Sequence, residues 1–168
     1  MNTFQNFSLS SRIWIYQSNR ELTSEEANEI SQIAGQFTEQ WTAHQQLLKT
    51  AFDLRYNLFL IFCVDESTAA SGCSIDKSLH LVQQLEKKFN IRLLNRQMGA
   101  YFSEGEAIPF SLLKINDLYQ SAIINDQTTV ADNLVNTLGD FNARWQIPFH
   151  QSWMKQFIKA PVAENKNA

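Results

Sequence analysis

Glycine is scarce in this chain, with five residues at positions 35, 72, 99, 105 and 139. A phosphate-binding loop needs glycines clustered with a lysine so that backbone amides can wrap the anion. No G-x-x-x-x-G-K-[ST] or G-x-G-x-x-G pattern occurs, which excludes ATP hydrolysis of the Walker type. Histidine is equally thin: His44, His80 and His150 lie far apart and lack the spacings of metal ligands, so no metal and no cofactor is expected. Only two cysteines occur, Cys63 and Cys73, and the first residues, Met1 to Ser8, lack the basic stretch and apolar core of an export signal. Both are therefore read as free thiols in a cytoplasmic protein. The longest apolar run, Leu58 to Val64, has seven residues, far short of the roughly 20 that span a bilayer, so direct membrane insertion is not expected. Basic charge is also short. Fourteen basic residues against 17 acidic ones, scattered in both signs for a net charge of -3, offer no dense electropositive face, and nucleic acid is an unexpected partner.

What the chain does have is apolar and aromatic mass. With 168 residues, 44% hydrophobic and 12% aromatic, it is long enough for one cored domain, read here as residues 1–158 with a disordered tail at 159–168. Arg12-Ile13-Trp14-Ile15-Tyr16 reads as a strand, followed by turn residues. Thr23 and Glu26 form a capping box ahead of an apolar stripe, Ala27, Ile30, Ala34, Phe37 and Trp41, at helical spacing. Ala51 to Arg55 alternates as a half-buried strand, Tyr56-Asn57 turns, and Leu58 to Val64 returns as its hairpin partner. A second helix carries Ile75, Leu79, Val82, Leu85 and Phe89 on one face, and Met98 to Phe102 reads as a fourth strand.

The order from residue 12 to 103 is thus βαββαβ, the split unit of ferredoxin-like α+β folds, with two helices on one face of an antiparallel sheet. The first and third strands are apolar on both faces and are expected at the centre, the alternating second strand at an edge. Such strands cannot leave the helix-free face in water. A C-terminal α/β extension is expected to cover it: a helix near 111–122, an extended piece near 128–135, and the aromatics Phe141, Trp145, Phe149, Trp153 and Phe157. Self-association through that face, giving a homodimer, is the alternative.

Candidate binding residues gather where the third strand runs into the second helix: Asp65, Glu66, Ser71, Gly72, Cys73 and Ser74, with Arg12 expected alongside and Tyr101 and Glu104 nearby. Free amides at a helix start favour anions, and two carboxylates beside them suit acid/base work or a cation. The plainer reading makes Asp65 and Glu66 solvated charges paired with Arg12, Ser74 the helix cap and Asp76 a first-turn complement to the dipole. Cys73 at a helix start would have a depressed pKa. His80 lies about two turns further on, out of reach as its base, so a small packing residue is the plainer role. Trp145 to Trp153 reads as a docking surface or, more plainly, as core lining.

Residues Ile13 to Arg20, Phe62 to Ser67, Ser71-Gly72-Cys73-Ser74-Ile75-Asp76, Asn133-Leu134-Val135 and Ser152-Trp153 together resemble a group of small bacterial proteins, many labelled ABC transporter ATPase. The resemblance covers most of the chain and implies a bacterial, cytoplasmic, single-domain protein; association with a transporter complex is compatible with it. It brings no catalytic residues to carry over. Three readings follow from the residues: a non-enzymatic domain binding a small molecule or a protein, a thiol- or carboxylate-dependent enzyme centred on Cys73 and Asp65, and a homo-oligomeric structural protein.

Overall fold

Branched and aromatic residues extend the chain over Arg12–Gln17 (β1), and the Thr23 cap then starts helix α1, Ser24–Gln40. The computed structural model describes residues 3–43, 46–65 and 72–159, with the backbone alone at positions 43, 46 and 72–75. The chain continues through two short paired strands, β2 (Thr42–Ala43) and β3 (Gln46–Leu47), to the hairpin β4 (Thr50–Arg55) and β5 (Phe59–Val64). Helix α2 spans Gly72–Phe89. A second hairpin, β6 (Met98–Ser103) and β7 (Glu106–Ser111), is followed by α3 (Ile115–Gln120), β8 (Thr129–Ala131), α4 (Leu138–Arg144) and β9 (Gln146–Pro148). Single turns of tighter helix end the described chain at Phe149–Gln151 and Trp153–Phe157. The protein is thus a mixed α and β fold with two main antiparallel sheets.

The first sheet has the order β1-β5-β4. All six β5 residues are buried, and alternation sends them to opposite faces. Leu60, Phe62 and Val64 meet α1 and α2 through Ile30, Ala34, Val82 and Leu85, joined by Trp14, Phe37 and Phe52. Trp41 and Phe37 pack edge-on against Phe62, with ring centroids 5.7 and 5.9 Å away. Phe59, Ile61 and Cys63 point the other way, into a core of Ala100, Ala107, Ala131, Val135, Phe141 and Trp145. The C-terminal half therefore covers the second face, as its residue pattern predicts, and within one chain, which removes the motive for a dimer there.

The second sheet has the order β7-β6-β8-β9. Its Ala100 and Phe102 face the first sheet, while Tyr101 and Val130 face a third core with Phe110, Ile115, Phe149 and Met154. The result is four layers: helices, sheet, sheet, and a thin cover of α3 and the terminal turns.

Three expectations are corrected by this arrangement. The fourth strand, β6, joins the second sheet instead of flanking β1, and so the complete ferredoxin-like sheet is not formed. The reason is local. Glu104 and Gly105, both at positive φ, make a tight turn that lets β6 pair along its whole length with β7, leaving Pro109 on an edge strand. The Glu86 carboxylate also accepts the Leu93 and Leu94 amides at 2.6 and 2.9 Å, steering the connection off the sheet. Second, β1 is consequently an edge, and only β5 is central. Third, α2 begins at Gly72, so Ser74 sits inside the first turn and Asp76 in the second. The α2 face is also rotated: Ser78, Leu81, Val82 and Leu85 are buried while Leu79 is 37% exposed. The tail read at 159–168 lies, beyond Lys159, outside the described residues.

The capping box forms as expected, with Thr23 accepting from the Glu26 amide and Glu26 accepting from the Thr23 amide. Arg20 holds both Glu26 oxygens at 2.7 Å and donates to the Phe89 carbonyl at the end of α2, clamping the two helices together. The Arg20 guanidinium, with help from the Thr23 amide, lowers the Glu26 pKa from 4.5 to about 2. A depressed carboxylate pKa stabilises the fold above the unfolded value and loses that contribution as pH falls through the folded one. Urea titrations of the parent and Glu26→Gln should therefore differ by about 1 kcal/mol at neutral pH, in favour of the parent. The gap should close as pH falls from 4.5 toward 2.

Candidate functional site

The displaced fourth strand leaves a gap. Beside β1, where that strand was expected, the chain from Leu93 to Met98 crosses from the helix layer to the second sheet, and Asn133 to Asn136 returns on the other side. Between them lies a groove of about 630 Å³, lined along its length by β1. Its size is that of a small-ligand or peptide site.

The hydrogen-bonding row of β1 decides what the groove offers. At one end the edge is closed: the Ile13 amide donates to the Asn136 carbonyl at 2.9 Å, the Leu138 amide donates to Ser11, and Arg12 bridges to Thr137. In an antiparallel ladder, alternate residues direct both backbone groups to the same side. Ile13 points outward, away from β5, and so do Ile15 and Gln17. No strand meets them there, and neither amide has a backbone partner on that side among the described residues. Two residues of strand edge thus turn their amides toward the groove with no backbone partner among the described residues.

The far end is built from a buried polar relay. The Gln17 side chain, 5% exposed, donates to the Gly99 carbonyl of β6 and accepts from Asn133, both at 2.7 Å. Asn133 in turn accepts from the Trp145 indole at 3.2 Å. Asp132, beside it, accepts from Arg144 at 2.8 Å and from the Leu134 amide. These bonds tie the first sheet to the second and hold Asn133 at the groove. Gly99 is required here, since a Cβ would stand 2.7 Å from the Phe110 ring. The walls are apolar, from Ile13, Ile15, Leu93 and Val135, and at the Trp153 wall the indole N–H is buried with no partner among the described residues.

The sequence-derived candidates fall elsewhere, apart from Arg12. Arg12 lines the groove, stands opposite Val64 and lies 5.5 Å over the Trp14 ring. Asp65 follows at the end of β5, so the structure does bring Arg12 and Asp65 to one corner. The Asp65 carboxylate pairs with Lys49 at 3.3 Å, and Lys49 also donates to the Asn6 carbonyl. Tyr101 faces the third core and exposed Glu104 occupies the β6–β7 turn, so neither belongs to that corner. Glu66 and Ser71 lie outside the described residues, as do the side chains of Cys73 and Ser74; Gly72, with the backbone of both, forms the first turn of α2.

Two smaller depressions are weaker sites. One of about 430 Å³ runs between α1 and α2 beside Phe37 and His80. Another, of about 440 Å³, is lined by Arg55 and Arg144, whose charges are committed to Asp53 and to Asp132 and Asp140. Among the described residues no group of His, Cys, Asp and Glu is placed to hold a metal, and no helix is long and apolar enough to cross a membrane. Sequence reasoning missed the groove because it depends on which edge a strand leaves open. Gln17 and Asn133 lie in two of the segments that carry the resemblance, Ile13 to Arg20 and Asn133 to Val135, yet nothing in either segment marks them as partners across two sheets.

Cys63 is fully buried in β5, and burial, with Asp65 adding to it, raises its thiol pKa from 9.0 to about 12. In a Cys73→Ser background the native protein should resist a thiol reagent at neutral pH and react once unfolded. A raised thiol pKa leaves stability intact below 9 and erodes it between 9 and 12, where the unfolded chain ionises first. The parent should therefore lose more stability than Cys63→Ala over that range in alkaline urea titrations. Asn133→Ala strands the Gln17 carbonyl oxygen and the Trp145 indole, and should cost about 1–3 kcal/mol in the same assay.

The chain matches no protein-family model, and comparison with curated proteins and with solved structures returns no match.

Proposed function

We propose that the protein is a non-enzymatic binding domain that takes an extended peptide segment into the β1 groove by strand addition. The observation that carries this reading is the row of unpaired backbone at Ile15 and Gln17 facing about 630 Å³ of open groove. Backbone pairing supplies affinity in such sites, and pockets for alternate side chains supply selection. The unit β1-α1-β4-β5-α2 is read as a ferredoxin-like core short of its last strand, and the added segment takes that strand's place beside β1. The groove is braced by the Gln17–Asn133 relay on one side and by the Asn136 bond on the other, so little ordering is needed before binding. The bacterial and cytoplasmic setting belongs to this proposal as what the resemblance implies, and association with a transporter complex is compatible with it.

Of the two residues on which the enzyme reading is centred, Asp65 is engaged by Lys49, and the side chain of Cys73 lies outside the described residues. The sheet face that suggested homo-oligomerisation is covered by the C-terminal half of the same chain.

Amide hydrogen exchange tests the reading directly. Ile15 and Gln17 should exchange faster than Trp14 and Tyr16 in the free protein, and should become protected when a saturating extended peptide is added. Ile15→Pro deletes one edge amide and should weaken peptide binding about fivefold or more, whereas Ile15→Val should not. Equal binding by a folded Ile15→Pro protein would refute strand addition.

A further inference from the structure

We infer that the segment accepted by the β1 groove is anionic, an extended peptide with apolar side chains at alternate positions and a glutamate or aspartate beside them. The inference rests on the binding reading above and deepens it. The chain carries a net charge of -3, yet the described residues that line this groove include two arginines, Arg12 and Arg96, and no carboxylate.

Arg96 is exposed and has no ion-pair or hydrogen-bond partner among the described residues, unlike Arg20, Arg55 and Arg144, each held by a carboxylate. Its neighbour Asn95 accepts from the Gln97 amide at 3.0 Å, which fixes the turn that presents the guanidinium beside the groove. Arg12 also lines the groove, at the end of β1 that the Asn136 and Thr137 contacts close. Ile15, Leu93 and Val135 line the same groove as apolar residues, suited to every second side chain of an extended segment. A guanidinium prefers a planar carboxylate, which it binds through two parallel hydrogen bonds. The three asparagines at the rim, Asn95, Asn133 and Asn136, add neutral donors and acceptors without opposing an anion.

Two blocked pentapeptides separate this inference from the reading beneath it: Ac-Glu-Val-Thr-Val-Glu-NH2 and its glutamine counterpart Ac-Gln-Val-Thr-Val-Gln-NH2. Titration of each, followed by the amide resonances of Ile15 and Gln17, should show both amides moving with the acidic peptide and a Kd at least fivefold weaker for the neutral one. Arg96→Gln should remove most of that difference while leaving binding of the neutral peptide unchanged. Raising the salt to about 0.5 M should weaken only the acidic peptide. Equal affinity for the two peptides, with both amides shifting, overturns the anionic inference and leaves strand addition standing. No shift at Ile15 and Gln17 with either peptide, or shifts confined to another face, overturns both.

Discussion

Strand β5 has no wet side, and the rest of the fold follows from that constraint. A strand buried on both faces must be hydrogen-bonded on both edges and roofed on both sides. The chain meets the first need with β1 and β4, and the second with two unrelated covers: the helix pair on Phe62, and the second sheet with Trp145 and Phe141 on Phe59 and Ile61. Truncating such a residue removes apolar contact from two layers' common wall, at about 3–5 kcal/mol for a buried phenylalanine. The sheet cannot tolerate a register slip either, since β5 alternates between two different cores.

Covering a sheet with another sheet has a geometric consequence. The β6–β7 hairpin serves the cover, so it cannot also extend the first sheet, and one edge of β1 is left with only the Asn136–Thr137 bridge to close it. An open edge is ordinarily a liability for aggregation. Here it is sunk between two crossing segments, Leu93 to Met98 and Asn133 to Asn136. The groove and the second core are therefore two outcomes of the same choice of partner for β6.

Much of this was legible in the sequence, for physical reasons that vary by element. The capping box at Thr23, the stripe from Ala27 to Trp41 and the run into Val64 are local signals, each set by neighbours within a few residues. The need to cover a second face was also readable, because it follows from the apolar content of one strand. The partner of β6 was not. Met98 to Phe102 fits either sheet by composition, and the decision lies in the Glu104-Gly105 turn and in Glu86 catching the Leu93 amide, the first easily overlooked and the second a contact between residues with no shared pattern. Sequence reading placed the candidate site at Asp65 to Ser74, after the most conspicuous run. Arg12 alone links that reading to the groove.

The polar relay at the groove gives the arrangement its uniqueness. Gln17, Asn133 and Trp145 contribute from three separate stretches, and the two Gln17 bonds, to Gly99 and from Asn133, form only when both sheets are docked in one relative position. Apolar contacts between Ile61 and Ala100 or Ala131 would tolerate a slide of the two sheets, being non-directional. An amide network in a buried setting would not, since any shift leaves unsatisfied groups at a cost of about 1–3 kcal/mol each. The relay therefore fixes the register between the layers, and with it the width of the groove beside β1. Affinity for an added strand would then be set as much by Gln17 and Asn133, which need not touch the strand, as by the edge amides that do.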